Sequence, residues 1–386
     1  VLAAAAFVYV TAEVLPIGAL PAIAADLRVS EALVGTLLAG YALIAAVATM
    51  PLVRLTASWP RRRTLLLTLV CLTGSQAVCA LAPNFAVLAS GRVLCALTHG
   101  LMWSVIAPIG VRLVPAGHAA RATTAVYAGT GLALVVGNPL TAAMSQLWGW
   151  RTAVVVVTAA AATVTIGAWR ALPPMRSEAS VAGRRIPRPR NPRLTTLAVL
   201  TLLGVTGHFL AYTFVLVVIQ DVVGVPGARS AWLLAAFGTA GLIGMAALAR
   251  PGDRRPHLAV VGCLGVMVVA FGVLTALAFG HHSGRLLLVV GAVAVVAWGA
   301  ASTAVPPMLQ AAVMRTAPEN PDGASGVYVA AFQVGIVAGA LGGGLLYEWA
   351  GAGPVLAGST AVTAVVLACA VGRSDLFRSP AAARSR

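Results

Sequence analysis

Long apolar blocks, broken by short polar connections, organise this chain. Residues 32 to 53 carry no charged side chain, and eleven further blocks of the same kind fill the sequence almost end to end. A block of about 18 or more apolar residues crosses the ~30 Å hydrocarbon core as a helix, because a helix satisfies its backbone donors and acceptors within its own segment. The pattern predicts helices near residues 3 to 25, 32 to 53, 64 to 82, 85 to 111, 122 to 147, 152 to 172, 194 to 219, 230 to 249, 257 to 279, 286 to 310, 323 to 346 and 352 to 372. Twelve such helices leave no room for a soluble domain.

Composition agrees with that reading: 60% of residues are hydrophobic and 9% charged, with a mean hydropathy of +0.93, far from a water-soluble domain. The net charge of +16 is explained by topology and not by nucleic-acid binding, because basic residues collect on cytoplasmic loops. All 26 basic residues are Arg, which points to a GC-rich bacterial genome. Twenty-one of them fall on the even-numbered connections and the C-terminal tail, and four (Arg28, Arg151, Arg229 and Arg285) on the opposite side. That asymmetry places both termini in the cytoplasm of a multi-pass protein, expected in the bacterial cell (inner) membrane. The sequence begins at Val1 inside an apolar stretch, so a short leader is expected before it; Glu13 interrupts that stretch, which argues against a cleaved signal peptide. Cys71, Cys79, Cys95, Cys263 and Cys369 match no zinc or redox spacing and read as small packing residues, so neither a metal nor a cofactor is expected.

The longest connection, residues 173 to 193, is rich in Pro and Arg and divides the chain into an N-terminal bundle (1 to 172) and a C-terminal bundle (194 to 372), with a tail at 373 to 386. It reads as a cytoplasmic linker lying against anionic headgroups. A shift of 201 residues lays Trp148-Gly149 on Trp349-Ala350, and a shift of 193 lays Arg61-Arg62 on Arg254-Arg255. The predicted fold is therefore all-α, with twelve transmembrane helices in two pseudo-symmetric six-helix bundles. Two related halves around a midplane cavity make a transporter architecture.

Several separate stretches carry a resemblance: Thr11 to Gly18 with Leu20-Pro21, Pro60-Arg61-Arg62-Arg63, Arg92-Val93-Leu94 with His99-Gly100, Gly131, Gly137 and Pro139 followed by Gly149-Trp150-Arg151, and Gly207-His208-Phe209 with Ala211-Tyr212-Thr213. In this order the chain resembles the major facilitator superfamily, specifically the drug:proton antiporter branch that includes bacterial sugar (arabinose-type) efflux transporters. One departure stands out. The family's loop between helices two and three usually reads Gly, Asp four positions on, then Gly and a basic cluster, whereas Val53, Ala57 and Pro60 stand here. The missing Asp removes an anchor that in relatives helps lock the cytoplasmic side.

Of the ten acidic residues only Glu13 lies near the middle of a predicted span. A carboxylate there costs roughly 2.5 to 3.5 kcal/mol on insertion scales, so it should face a cavity or a partner, and burial suits it to proton exchange. Arg92 cannot discharge by losing its proton and needs an anion, a ring of carbonyls or water; Glu13 is the nearest suitable partner in the same half, and snorkelling to the outer surface is the alternative. The resemblance implies that an Arg at this position takes part in proton coupling. His99 and Trp103 share a face of helix four with Arg92, and His208 and Tyr212 repeat the four-residue spacing on helix seven. Each His is either a packing residue or part of a ligand cavity.

Glu13, Arg92 and His208 are thus the expected proton-coupling residues. His99, Trp103, Asn138, His208, Tyr212, Gln310, Tyr328 and Gln333 are the expected substrate contacts, the neutral ones among them offering hydrogen bonds to a ligand or to a neighbouring helix. Gating is expected at Arg61, Arg62, Gly131, Gly137, Pro139 and Asp253; for the small-residue faces of helices five and eleven, a rocking role is implied by the resemblance.

The function expected is export of a small neutral or weakly polar molecule, sugar or drug-like, in exchange for protons by alternating access. Its partners are that substrate, protons and the lipid bilayer, and the working unit is a monomer. A nucleoside exporter or a proton-independent facilitator of the same fold is the alternative. An intramembrane enzyme lacks any paired-Asp, zinc-protease or nucleophile-elbow motif, a sensor lacks an output domain, and an ATP-driven pump lacks a Walker loop.

Overall fold

The computed structural model of the chain describes residues 1–115, 117–175, 191–225, 228–280 and 284–377. Most of the expected linker (176–190), the end of the tail (378–386) and the pair His281-His282 lie outside the described residues. Among the described residues every regular element is helical. The first sequence half holds α1 (Leu2–Gly18), α2 (Leu20–Leu27), α3 (Glu31–Leu55), α4 (Arg61–Ala80), α5 (Phe85–Arg112), α6 (Ala119–Leu132), a π-helical segment (Ala133–Gly137), α7 (Asn138–Trp148) and α8 (Trp150–Ala171). The second holds α9 (Pro192–Tyr212), the one-turn α10 (Val215–Val217) leading into a second π-helical segment (Val218–Val222), α11 (Ala228–Arg254), α12 (Pro256–Phe279), α13 (Arg285–Thr316), α14 (Pro321–Ala350), α15 (Ala352–Gly372) and a 3₁₀ turn (Ser374–Phe377).

Ten helices among the described residues are long and apolar enough to cross a membrane, and eleven when the bent pair α1 and α2 is taken as one span. The remaining expected span, residues 32 to 53, falls on α3, which is 25 residues long; the apolar helix assignable within it, Gly40–Leu55, is shorter than a crossing. The bend of 56° between α1 and α2 has a covalent cause. Pro16 lacks the N–H that would bond the Ala12 carbonyl, and Pro21 opens α2 at a position where a missing N–H costs nothing.

Caps and turns follow from local chemistry. Ser30, Asn84 and Asn191 accept from the backbone N–H three residues on, closing the starts of α3, α5 and α9. Gly149 (φ 85°) and Gly351 (φ 75°) reverse the chain between α7 and α8 and between α14 and α15 in a conformation that a side chain would strain. These two turn glycines lie 202 positions apart, one more than the shift that lays Trp148-Gly149 on Trp349-Ala350.

The chain divides into two compact units. The first comprises Val1–Pro115, Ala125–Arg190 and Ala317–Ala330; the second comprises Ala116–Thr124, Asn191–Thr316 and Ala331–Arg386. In the first, α5 packs on α3 and α4, and α8 on α4. A Cβ on Gly129 would lie 1.9 Å from the Ala3 carbonyl oxygen, and one on Gly137 2.3 Å from Thr11 Oγ1, so small residues let α6 and the π segment press against α1. In the second unit, α13 packs on α11 and α12, and α15 on α9 and α12. Gly335, Gly339 and Gly343 recur every four residues on α14, where a Cβ would lie 2.8, 2.7 and 2.6 Å from the carbonyl oxygens of Leu202, Thr206 and Leu210 on α9.

Candidate functional site

In the first unit, the Pro16 kink exposes main-chain oxygens to the buried side chain of Arg92. Its guanidinium donates to the Ala12 carbonyl at 2.6 Å and to the Glu13 carbonyl at 2.7 Å, and lies 4.8 Å from the centroid of the Tyr41 ring. Arg92 is 4% exposed, so it does not snorkel outward. Carbonyl oxygens and an aromatic face hold the cation, and the Glu13 carboxylate is not among its hydrogen-bond partners.

The Glu13 carboxyl is instead 3.8 Å from Nδ1 of His99, which is buried. The same Nδ1 is 2.9 Å from the Tyr41 hydroxyl, and that hydroxyl is 3.4 Å from Cys95 Sγ. Tyr9 closes the cluster through Thr98 Oγ1 at 2.7 Å and an edge contact with His99. At 3.8 Å the carboxyl and the imidazole stand just beyond hydrogen-bond reach, a gap that a small closing movement or a bridging water would span. The Glu13 side chain retains 22% exposure. His99 continues into Trp103 (6.3 Å between centroids), Trp103 into Tyr127 (5.1 Å), and the Tyr127 and Tyr328 hydroxyls share a hydrogen bond.

Among the described residues the second unit's cluster holds no charged side chain. His208 stacks on Tyr212 at 5.1 Å, Tyr212 on Phe237 at 5.9 Å, and the Trp298 ring meets Phe237 and Phe271 at 5.1 and 5.0 Å. Trp298 Nε1 donates to His208 Nδ1 at 3.0 Å. Indole N–H is a donor only, so that nitrogen of His208 carries no proton here; the ring is neutral and bears its hydrogen on Nε2. Trp298 is fully buried, whereas His208 and Tyr212 are half-buried.

Two ionic clusters involve the starts of α14 and α6. In the first unit Asp322, in the opening turn of α14, accepts from Arg61 Nε at 2.5 Å and from Arg112 at 3.2 Å; Arg61 and Asp322 are 4% and 3% exposed. The acid absent at Ala57 is thus supplied from α14, where the helix dipole also favours it. In the second unit Asp253 accepts from the Ala120 N–H and from Arg121 Nε, both at 2.7 Å.

Gln310 and Gln333 are buried in the second unit; Gly131 and Gly137 are buried and Pro139 is exposed in the first. The Asn138 side chain lies outside what is described. Arg62 donates to the Trp169 carbonyl. Sequence reasoning missed Tyr9, Tyr41, Phe237, Trp298 and the partnership of Asp322 with Arg61 and Arg112. For Tyr41 the one available signal is its hydroxyl, a polar atom in mid-span that needs a partner.

A helical membrane protein with a carboxyl beside an imidazole in one unit and an aromatic cluster in the other has the makings of a solute transporter. The chain belongs to the Major Facilitator Superfamily, whose sequence pattern it matches over residues 2–340, and it is a multi-pass membrane transporter and not an enzyme. Two relatives from Mycobacterium tuberculosis strains, each named a chloramphenicol efflux pump, are 59% identical over 383 residues, covering 98% of this chain and 92% of theirs. Among solved structures, the human organic anion transporter MFSD10 (TETRAN) aligns with a TM-score of 0.75 over 96% of this chain and 97% of that one. The transporter FucP in its outward conformation aligns with a TM-score of 0.70 over the same shares. Both are 17% identical to this chain, so the likeness is one of fold.

Proposed function

We propose that the chain exports chloramphenicol and related small amphipathic molecules in exchange for protons. The observation that carries the substrate is the 59% identity, over nearly the whole chain, to pumps named for that drug; it favours a drug over a sugar or nucleoside. The setting is the bacterial inner membrane, with both termini cytoplasmic and a single chain as the working unit. Transport proceeds by alternating access, with residues 1 to 172 and 194 to 372 as its two bundles.

Glu13 is the proton site in this reading. A proton arriving from outside neutralises the carboxylate and removes its attraction for His99, 3.8 Å away. Tyr41 holds His99 in position and Arg92 keeps the kinked backbone of α1 in place. His208 serves the substrate and not the proton, because an imidazolium would aim a second N–H at the indole donor of Trp298. Chloramphenicol combines a nitrophenyl ring, an amide and two hydroxyls. Aromatic faces at Trp103 and Tyr212 suit the ring, and His208, Asn138, Gln310, Tyr328 and Gln333 suit the polar groups. Arg61, Arg62, Asp253, Gly131, Gly137 and Pro139 serve opening and closing.

One proton crossing ~100 mV and one pH unit releases about 3.7 kcal/mol, enough to sustain a gradient of about 500-fold for a neutral substrate. Energised everted vesicles should accumulate chloramphenicol and lose it on adding a protonophore. Accumulation that survives the protonophore would sink the coupling, and absence of flux would sink the substrate.

A further inference from the structure

At the Arg-rich start of α4 a groove of about 570 Å³ runs between α4 and α8 in the first unit. Trp59, Arg62, Arg63 and Trp169 surround one end, and Leu67 and Val70 line its continuation along α4. We propose that this groove binds one anionic phospholipid, with the phosphodiester on Arg62 and Arg63 and an acyl chain along Leu67 and Val70.

Charge is the first reason. Arg61 is neutralised by Asp322, and Arg112, Arg121 and Arg151 each meet a carboxylate. Among the described residues Arg62 and Arg63 have no acidic partner. Arg62 spends one nitrogen on the Trp169 carbonyl, and its buried Nε has no hydrogen-bond partner. The Arg63 guanidinium lies 4.9 Å from the centroid of the Trp59 ring, which leaves its N–H groups free to meet an anion. These cations stand at the first turn of α4, whose backbone N–H groups have no side-chain cap and whose dipole favours negative charge.

Shape is the second reason. From Arg62 to Val70 the helix rises roughly 12 Å at 1.5 Å per residue. Over that length the groove turns from cationic to wholly apolar, and Leu67, Val70 and Trp169 keep 38%, 55% and 58% of their surface exposed. A free phosphate has no use for the apolar trough, and an acidic peptide would have to bury polar backbone in hydrocarbon. A phospholipid satisfies both ends. Indole rings at the mouth suit the depth at which headgroups meet acyl chains, and a basic pocket between helices at that depth is suited to an anionic headgroup.

The test uses the full chain purified in neutral detergent, with phosphatidylglycerol and phosphatidylcholine carrying identical brominated acyl chains. Bromine quenches nearby indoles, and subtracting the signal of a Trp169→Phe variant isolates the groove from the other tryptophans. The groove signal should be quenched by phosphatidylglycerol at about tenfold lower lipid than by phosphatidylcholine. In Arg62→Gln/Arg63→Gln that preference should fall to about twofold or less, while Arg63→Lys keeps most of it, with the thermal midpoint of each variant checking its fold. Equal quenching by both lipids, an undiminished preference in the double Gln variant, or no groove signal at all would overturn the proposal. Inorganic phosphate alone raising the thermal midpoint as much as phosphatidylglycerol would assign the arginines to a free anion and overturn it as well.

Discussion

The two units carry different chemistry on closely similar architecture. The first gathers a buried guanidinium, a buried imidazole, two buried phenols and the partly exposed Glu13 carboxyl around the kink of α1. The second places a neutral imidazole among five aromatic rings, with no charged partner among the described residues. A histidine with an aromatic four residues on appears in both, at His99 with Trp103 and at His208 with Tyr212, yet the partners separate them. His99 faces a hydroxyl and a carboxyl, whereas His208 faces an indole N–H, which fixes it as an acceptor. The proposed function turns this difference into a division of labour, with the proton handled in one unit and aromatic recognition in the other.

The largest effect should come from exchanging roles. Glu13→Gln should reduce protonophore-sensitive accumulation from about 500-fold to near onefold while sparing counterflow exchange. His208→Gln should keep the sensitivity and raise KM. The reverse pattern in vesicle assays would abolish the division. Next in size is the buried ion pair. Asp322→Asn leaves Arg61 without its counter-charge and should destabilise the protein by about 3 to 5 kcal/mol, read as a fall in the thermal midpoint.

A smaller effect links backbone to charge. Arg92→Ala strips the Ala12 carbonyl of its donor, at a cost of about 2 kcal/mol. Pro16→Ala gives α1 back the N–H that would serve that oxygen, so in its background Arg92→Ala should cost less. A double-mutant cycle with no coupling would refute the account of the kink. The smallest change belongs to the aromatic unit: Trp298→Phe removes one neutral hydrogen bond, worth about 1 kcal/mol, and should raise KM a few-fold without altering the dependence on proton gradient.

The helical spans were legible because hydrocarbon imposes one rule on every segment, and an uninterrupted apolar block obeys it visibly. Glu13 and Arg92 stood out for the complementary reason, as ionisable groups inside such blocks. Their partners were not legible. Arg92 could be satisfied by an anion or by carbonyls, and the choice depended on the oxygen that Pro16 frees. Asp322 looked like an ordinary acid at a helix end because its meeting with Arg61 spans 261 positions of sequence. Trp298 and Phe237 disappeared into their apolar surroundings, since a buried aromatic violates no pattern. The internal echo was offset by one from the true turn glycines, as matches between Ala- and Gly-rich segments cannot fix register to a single residue.

Among the described residues each unit also contains one π-helical segment, Ala133–Gly137 in the first and Val218–Val222 in the second. Such a segment holds an extra residue within a turn. Removing one residue from Ala133–Gly137 would let the stretch close as an ordinary α-helix with α6 and α7 keeping their present facing, because the π segment already absorbs the extra residue. A single deletion within a regular turn of α6 or α7 would instead rotate the rest of the helix by about 100°, so the π segment is the one place in that stretch where the length can change by a residue without turning its faces.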